Sequence, residues 1–151
     1  MDTTTTTTST RDLVTATTET WNARDREGYL ALYIDDCEVT APGFTGRGHE
    51  ELGQYWDTYM TAFPDNRITV LRVFGGQGAE PAAEQSVIEG THTGPLMSAD
   101  GSVLPPTGRH MSGPFCMVHD QREGRLHTSQ LYYDQMELLG QLGALEGTAA
   151  P

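Results

Sequence analysis

Five histidines, two cysteines and several tyrosines next to carboxylates carry the chemistry open to this chain. Metal-free, cofactor-free proton transfer at a carbonyl needs a base that titrates near neutrality and a donor for the developing enolate oxygen. His92 is the first candidate base, at the end of a strand-like stretch, with a structural histidine bonded to backbone as the plainer alternative. His110, after Arg109, is a second-rank base. Asp134 follows Tyr132-Tyr133 but has Glu137 three residues on, the spacing of a helix cap. Tyr133 is a candidate donor to a carbonyl oxygen. His49-Glu50-Glu51 lacks the second histidine of a zinc-protease helix, and His119-Asp120 faces a turn. No three-ligand set has metal spacing, so no metal and no cofactor are expected.

Apolar walls for such a site come from two stretches. Leu52, Trp56, Tyr59, Met60 and Phe63 recur at helical spacing and form one aromatic stripe. Phe115 and Met117 sit in a later strand-like run. Together Trp56, Tyr59, Phe63, Phe115 and Met117 suit a planar, hydrophobic small molecule, although the stripe taken alone reads first as ordinary core packing.

The elements that position these groups follow from periodicity. Ser9 or Thr10 caps a helix to about Arg24 carrying Leu13, Val14, Thr17 and Trp21. Asp25 caps a short second helix, which Asp35-Asp36 ends. A short strand covers Cys37 to Thr40, and the aromatic helix follows and stops at Pro64-Asp65. Four long strands are expected at 67–74, 84–93, 109–119 and 125–133, the last two joined as an antiparallel hairpin at Glu123-Gly124. Gly113-Pro114 is a candidate bulge. A final helix runs from Asp134 through Leu142. Helices segregated from antiparallel strands mean an α+β fold: a curved sheet with helices across its open side.

The chain has 151 residues, enough for one domain, expected over 11–143. The Thr-rich stretch 1–10 and the stretch 144–151 read as frayed tails. All nine basic residues are arginine, which excludes Schiff-base enzymes and lysine-dependent P-loops. A net charge of −12 with scattered arginines argues against a nucleic-acid partner. No apolar run reaches the length of a membrane span, and no signal peptide is evident. Cys37 and Cys116 read as reduced thiols of a cytoplasmic protein.

Ala62-Phe63-Pro64-Asp65, Gly90-Thr91-His92-Thr93-Gly94, Pro105-Pro106-Thr107-Gly108-Arg109, Glu123-Gly124-Arg125-Leu126, Tyr133-Asp134 and Gln141-Leu142-Gly143 recur in an order that resembles the SnoaL-like polyketide cyclase family, of the nuclear-transport-factor-2-like superfamily. The resemblance spans about Leu13 to Gly143. It implies a conical α+β barrel holding its ligand inside, a homodimer or homotetramer, and intramolecular aldol cyclisation without metal or cofactor. In that family an aspartate is the acid/base, helped by a glutamine and a histidine. Laid on this chain, the glutamine falls on Phe115, the histidine on Met117 and the aspartate on Leu131, all apolar here. Ser129 and Tyr133 share strand parity with Leu131 and are expected beside it in the pocket.

These readings lead to a cofactor-independent enzyme of natural-product biosynthesis. It would catalyse cyclisation, isomerisation or dehydration of an oxygenated polycyclic substrate, with His92 as base and Tyr133 as donor. Cofactor-free hydroxylation, or assistance to a partner oxidoreductase, is the second reading. A non-catalytic binder of a hydrophobic metabolite is the third, favoured by loss of the three polar groups.

Overall fold

The computed structural model describes residues 8–98 and 100–145. Helix α1 (Thr10–Asn22) starts where Ser9 accepts the Asp12 amide, and its buried face carries Leu13, Val14, Thr17 and Trp21. Helix α2 (Arg26–Ala31) is capped by Asp25. Strands β1 (Tyr33–Ala41) and β2 (Phe44–Arg47) form a hairpin that leads into helix α3 (Gly48–Ala62). Strands β3 (Arg67–Gly75) and β4 (Ala82–Thr91), a small hairpin of β5 (Leu96–Met97) and β6 (Val103–Leu104), and strands β7 (His110–Arg122) and β8 (Arg125–Tyr132) follow, closed by helix α4 (Gln135–Gln141).

Six strands make one sheet in the order β2-β1-β8-β7-β4-β3. All neighbours are antiparallel except β1 and β8, which run parallel because the chain visits α3 and three long strands before returning beside β1. Glu123 and Gly124 both have positive φ, the mirror-image turn that matches strand twist in a two-residue hairpin, as the Glu-Gly pair predicted. Pairing of β4 with β7 runs without a shift through Gly113 and Pro114, so the bulge expected there is absent. The irregularity lies on β8, where Asp120 faces Thr128 but Gln121 faces Leu126 and His127 is passed over. Further breaks lie in β1 and β3, so the sheet bends at several points and wraps around the helices.

Several limits differ from expectation. Asp35 and Asp36 lie within β1 rather than ending a helix, and Tyr33 is already a buried strand residue. β2, β5 and β6 are too short for a periodic signal. Ser9 caps α1 and Thr10 opens its first turn, as the capping signal predicts, so the expected tail stops short of them; the Gln121 amide donates to Thr8 and Thr10. Residues 1–7 and 146–151, the remainder of the expected tails, lie outside the described residues. Cys37 is buried in the core and Cys116 partly exposed; both are free thiols.

The core is centred on Trp21, whose ring meets those of Tyr29, Tyr55, Trp56 and Tyr59 at centroid separations of 5.6, 6.1, 5.0 and 6.2 Å. These edge and tilted contacts lock α1, α2 and α3 together. The indole N–H donates to Asn66 Oδ1 at 2.6 Å, and the Asn66 amide donates to the Phe63 carbonyl at 2.8 Å, tying the helices to the start of β3. Gly94 is required by close approach: a Cβ there would lie 1.9 Å from the Thr61 carbonyl oxygen. Asn66→Ala strands the buried indole N–H, so it is expected to lower the unfolding free energy by about 2 kcal/mol in urea denaturation.

Candidate active site

A cavity of about 90 Å³ lies between the concave sheet face and the helices. Trp21 and Tyr29 line it from α1 and α2, and Tyr55 and Tyr59 from α3. The sheet contributes Glu84 and Ile88 from β4, Met111, Phe115, Met117 and His119 from β7, and Leu131 from β8. Strand alternation explains the set, since Met111, Phe115, Met117 and His119 are the inward residues of β7. At its outer end the cavity adjoins a groove of about 1020 Å³ under the β5–β6 hairpin; Tyr55, Tyr59, Tyr133 and Leu138 border both.

At the closed end the polar groups are ordered. Glu84 and His119 are 3% and 1% exposed, and Glu84 Oε2 stands 3.8 Å from His119 Nε2. That separation is too long for a hydrogen bond, and neither atom has another partner among the described residues. On its other side, His119 Nδ1 lies 2.7 Å from Ser129 Oγ, which lies 2.9 Å from the Tyr33 hydroxyl. The ladder produces this meeting directly, because His119 pairs with Ser129 and Glu84 with Met117. The Tyr29 ring packs against that of Tyr33 at a centroid separation of 5.6 Å. If each hydroxyl passes its hydrogen onward, Tyr33 donates to Ser129 and Ser129 to His119 Nδ1. The imidazole then carries its proton on Nε2, the nitrogen that faces the Glu84 carboxyl group. Such a site offers an acceptor for a proton and a neutral N–H for an oxygen, side by side in an apolar enclosure.

The residues expected from the sequence divide into three groups. Tyr59, Phe115, Met117, Leu131 and Tyr133 line the cavity. Ser129 is wholly buried behind His119, and Trp56 backs Trp21 and Tyr29. Asp134 reaches only the outer end, where it is exposed and accepts the Glu137 amide at 3.0 Å as the cap of α4. Phe63, His92 and His110 do not reach the cavity. Phe63 sits in a second cluster with Ala62, Met111 and Leu142. His110 has the opposite parity from Phe115 and is exposed, 3.7 Å from Glu89.

His92 is buried but faces away. Its Nδ1 accepts the Thr107 amide at 3.2 Å, its ring lies 5.4 Å from Phe63, and its backbone bonds to Arg109 and Gly108. It therefore splices the end of β4 to the segment before β7. Burial holds its pKa below the ordinary value, against a smaller opposing effect from the Gly94 backbone.

Two cavity residues escape the sequence reading. His119 reads as facing a turn, although it shares parity with Phe115 and Met117, and that parity is the signal that marks it as inward. Glu84 shares an inward face with Ala82 and Ser86 on β4, a face with too few large apolar side chains to be recognised from sequence.

The His92 environment has a measurable consequence. The unfolded chain binds the proton near pH 6.5, whereas the folded chain binds it only at lower pH. Stability is therefore lost as pH falls below about 6.5. Denaturant midpoints measured from pH 7 to 5 are expected to fall more steeply for the wild type than for His92→Asn. Asp134→Ala should cost about 1 kcal/mol through the lost cap.

The family model for the SnoaL-like polyketide cyclase matches residues 11–142. Among curated proteins, no significant match exists. Solved structures share the architecture. A SnoaL-like polyketide cyclase from Jannaschia sp. CCS1 superposes with a TM-score of 0.77 at 16% identity, over 94% of this chain and 93% of that one. AclR of Streptomyces galilaeus, described as a hydroxylase, gives 0.74 at 19% identity, over 89% and 96%. IdmH of Streptomyces antibioticus, described as a polyketide cyclase, gives 0.69 at 25% identity, over 88% and 97%. With the match covering nearly the whole described chain, this protein belongs to the SnoaL-like polyketide cyclase family.

Proposed function

We propose that the protein is a cofactor-independent acid/base enzyme acting at an enolisable carbonyl of an oxygenated, polyketide-like substrate, with Glu84 as base and His119 as oxygen donor. The observation that carries this reading is the Glu84–His119 pair: both residues line an aromatic cavity, and the Oε2 and Nε2 atoms that face each other have no hydrogen-bond partner. Structures with no ligand-directed task rarely leave a carboxyl oxygen and an imidazole nitrogen buried side by side without partners.

In the reaction, the substrate's α-carbon approaches Glu84 Oε2 and its carbonyl oxygen lies against His119 Nε2–H. Glu84 removes the proton as negative charge builds on oxygen, and the N–H stabilises that charge without giving up its own hydrogen. The enolate then attacks a second carbonyl, reprotonates elsewhere, or expels a β-hydroxyl: cyclisation, isomerisation or dehydration. With Tyr33 donating to Ser129 and Ser129 to His119 Nδ1, the imidazole holds its hydrogen on Nε2, the tautomer this step uses. Tyr133 borders both the cavity and the outer groove, where its hydroxyl would donate to a more distant oxygen of the substrate. The cavity is small, so a bulky substrate would place its reacting end here and extend past Tyr59 and Tyr133 into the outer groove.

The family resemblance implied polar groups at Phe115, Met117 and Leu131. Here the Glu84–His119 pair would assume their role, with Glu84 opposite Met117 on β4 and His119 one inward step beyond Met117 on β7, about 7 Å towards the closed end. The pair replaces His92 and His110 in the roles expected from sequence.

A substrate-independent probe tests the base. 5-Nitrobenzisoxazole loses its ring C–H proton as the N–O bond breaks, giving a coloured cyanophenolate. The wild type is expected to accelerate this opening with saturation, and Glu84→Gln to lower kcat/KM by roughly 100-fold or more. His119→Gln should lower kcat more than it raises KM, because its bond strengthens on the developing oxyanion. Equal rates in wild type and a folded Glu84→Gln would refute the assignment.

A further inference from the structure

The charge of the cavity lining identifies a property of the ligand beyond its carbonyl. Glu84, buried at the closed end, is joined by Asp134 and Glu137 at the outer end. Among the described residues no arginine lines the cavity, and the chain has no lysine. Several arginines are committed elsewhere: Arg11 to the Val73 and Gly75 carbonyls, Arg26 to Asp57, and Arg47 to Glu38. His119 is the nearest basic group, and at 3.8 Å it makes no hydrogen bond to Glu84. A carboxylate held in an apolar enclosure without a cation is costly to maintain, so the missing counter-charge is a property to seek in the ligand.

The opposite wall supplies what a cation needs. Trp21, Tyr29, Tyr55 and Tyr59 are packed edge-to-face or tilted, so several ring faces border one space. The electron-rich face of an aromatic ring attracts ammonium groups, most strongly where water is excluded. An aromatic wall facing a buried carboxylate, with no competing positive side chain in the lining, combines the two means by which proteins hold organic cations.

We propose that the cavity takes a ligand bearing a positively charged nitrogen, an alkylated or protonated amine, seated between Glu84 and the Trp21–Tyr29–Tyr55–Tyr59 wall. The proposal rests on the reading of this cavity as the substrate site, and it narrows the substrate class to oxygenated molecules with a basic nitrogen. It is compatible with Glu84 as base. Before proton transfer the cation faces the carboxylate; afterwards the negative charge sits on the substrate oxygen, still within reach of the same cation. Asp134 and Glu137, exposed at the outer end, would draw the cation inward.

Three probes of near-identical shape separate charge from hydrophobic fit: 3-hydroxyphenyltrimethylammonium, its neutral isostere 3-tert-butylphenol, and 3-hydroxybenzenesulfonate. Binding is read by calorimetry and by tryptophan emission, in about 1 M salt, where fields from surface charges are screened beyond roughly 3 Å. The cation is expected to bind at least roughly tenfold more tightly than the isostere, and the sulfonate more weakly than either. Glu84→Gln should remove most of that preference while leaving the isostere's affinity nearly unchanged. Tyr59→Leu, which keeps the carboxylate, should reduce the preference by several-fold. Equal affinity for cation and isostere, no cation binding at roughly millimolar concentration, or a preference that survives Glu84→Gln intact would each overturn the proposal. These are binding measurements without turnover. Cation preference without benzisoxazole opening would reject only the acid/base reading, and the reverse pattern would reject only the cation.

Discussion

Burying a carboxylate beside an imidazole in an apolar enclosure is the constraint around which the rest of this structure is arranged. Glu84 and His119 are almost inaccessible from the bulk solvent, yet the two atoms that face each other are not bonded. Such a pair does little for stability, because desolvation of ionisable groups offsets their attraction, and apolar replacements of similar size are commonly no worse. Its retention within the cavity is better understood through what it does to a ligand. The surrounding fold supplies the stability that the pair does not: the aromatic cluster around Trp21 on one side, and an unbroken β4–β7 ladder on the other.

That ladder also gives the pair its geometry. Glu84 and His119 lie on adjacent strands, at positions offset by two residues, so their side chains project from the same face and converge. Ser129 then faces His119 across the next pairing, and Tyr33 reaches Ser129 from β1. Four elements therefore contribute to one chain of polar groups. The serine hydroxyl can donate or accept, so the chain accommodates either tautomer of the imidazole without movement of heavy atoms. An arrangement built from ladder pairings is stiffer than one carried on loops, which suits a site that must hold donors in place while charge develops.

Membership of the family and loss of its expected polar trio become compatible on this view. Phe115, Met117 and Leu131 do line the cavity, as apolar wall. Of the acid/base candidates, His119 stands one inward step beyond Met117 on β7, and Glu84 faces Met117 from the neighbouring β4. Strand alternation makes such a displacement simple, since a shift of two residues preserves the facing direction while moving the functional group by about 7 Å. The same period explains why His110 is excluded: one residue of offset turns a side chain to the other face of the sheet.

The sequence by itself determined the order of the four helices and of strands β1, β3, β4, β7 and β8, the hairpin at Glu123-Gly124, the aromatic stripe of α3 and the family. Those features are encoded locally, in periodicity, capping residues and turn chemistry. It also determined the acidic, lysine-free composition that limits what the cavity can hold. Tertiary structure decided the site. His92 reads as a base in one dimension, but Thr107, fifteen residues away in sequence, occupies its Nδ1, and Phe63 covers its ring. Glu84 and His119, with the β5–β6 hairpin between them in sequence, meet only through strand pairing. Ser129 keeps the parity of Leu131, whereas Leu126 is buried on their side only because β8 passes over His127. Long-range pairing and the position of a bulge depend on contacts between distant segments, and no local pattern records them.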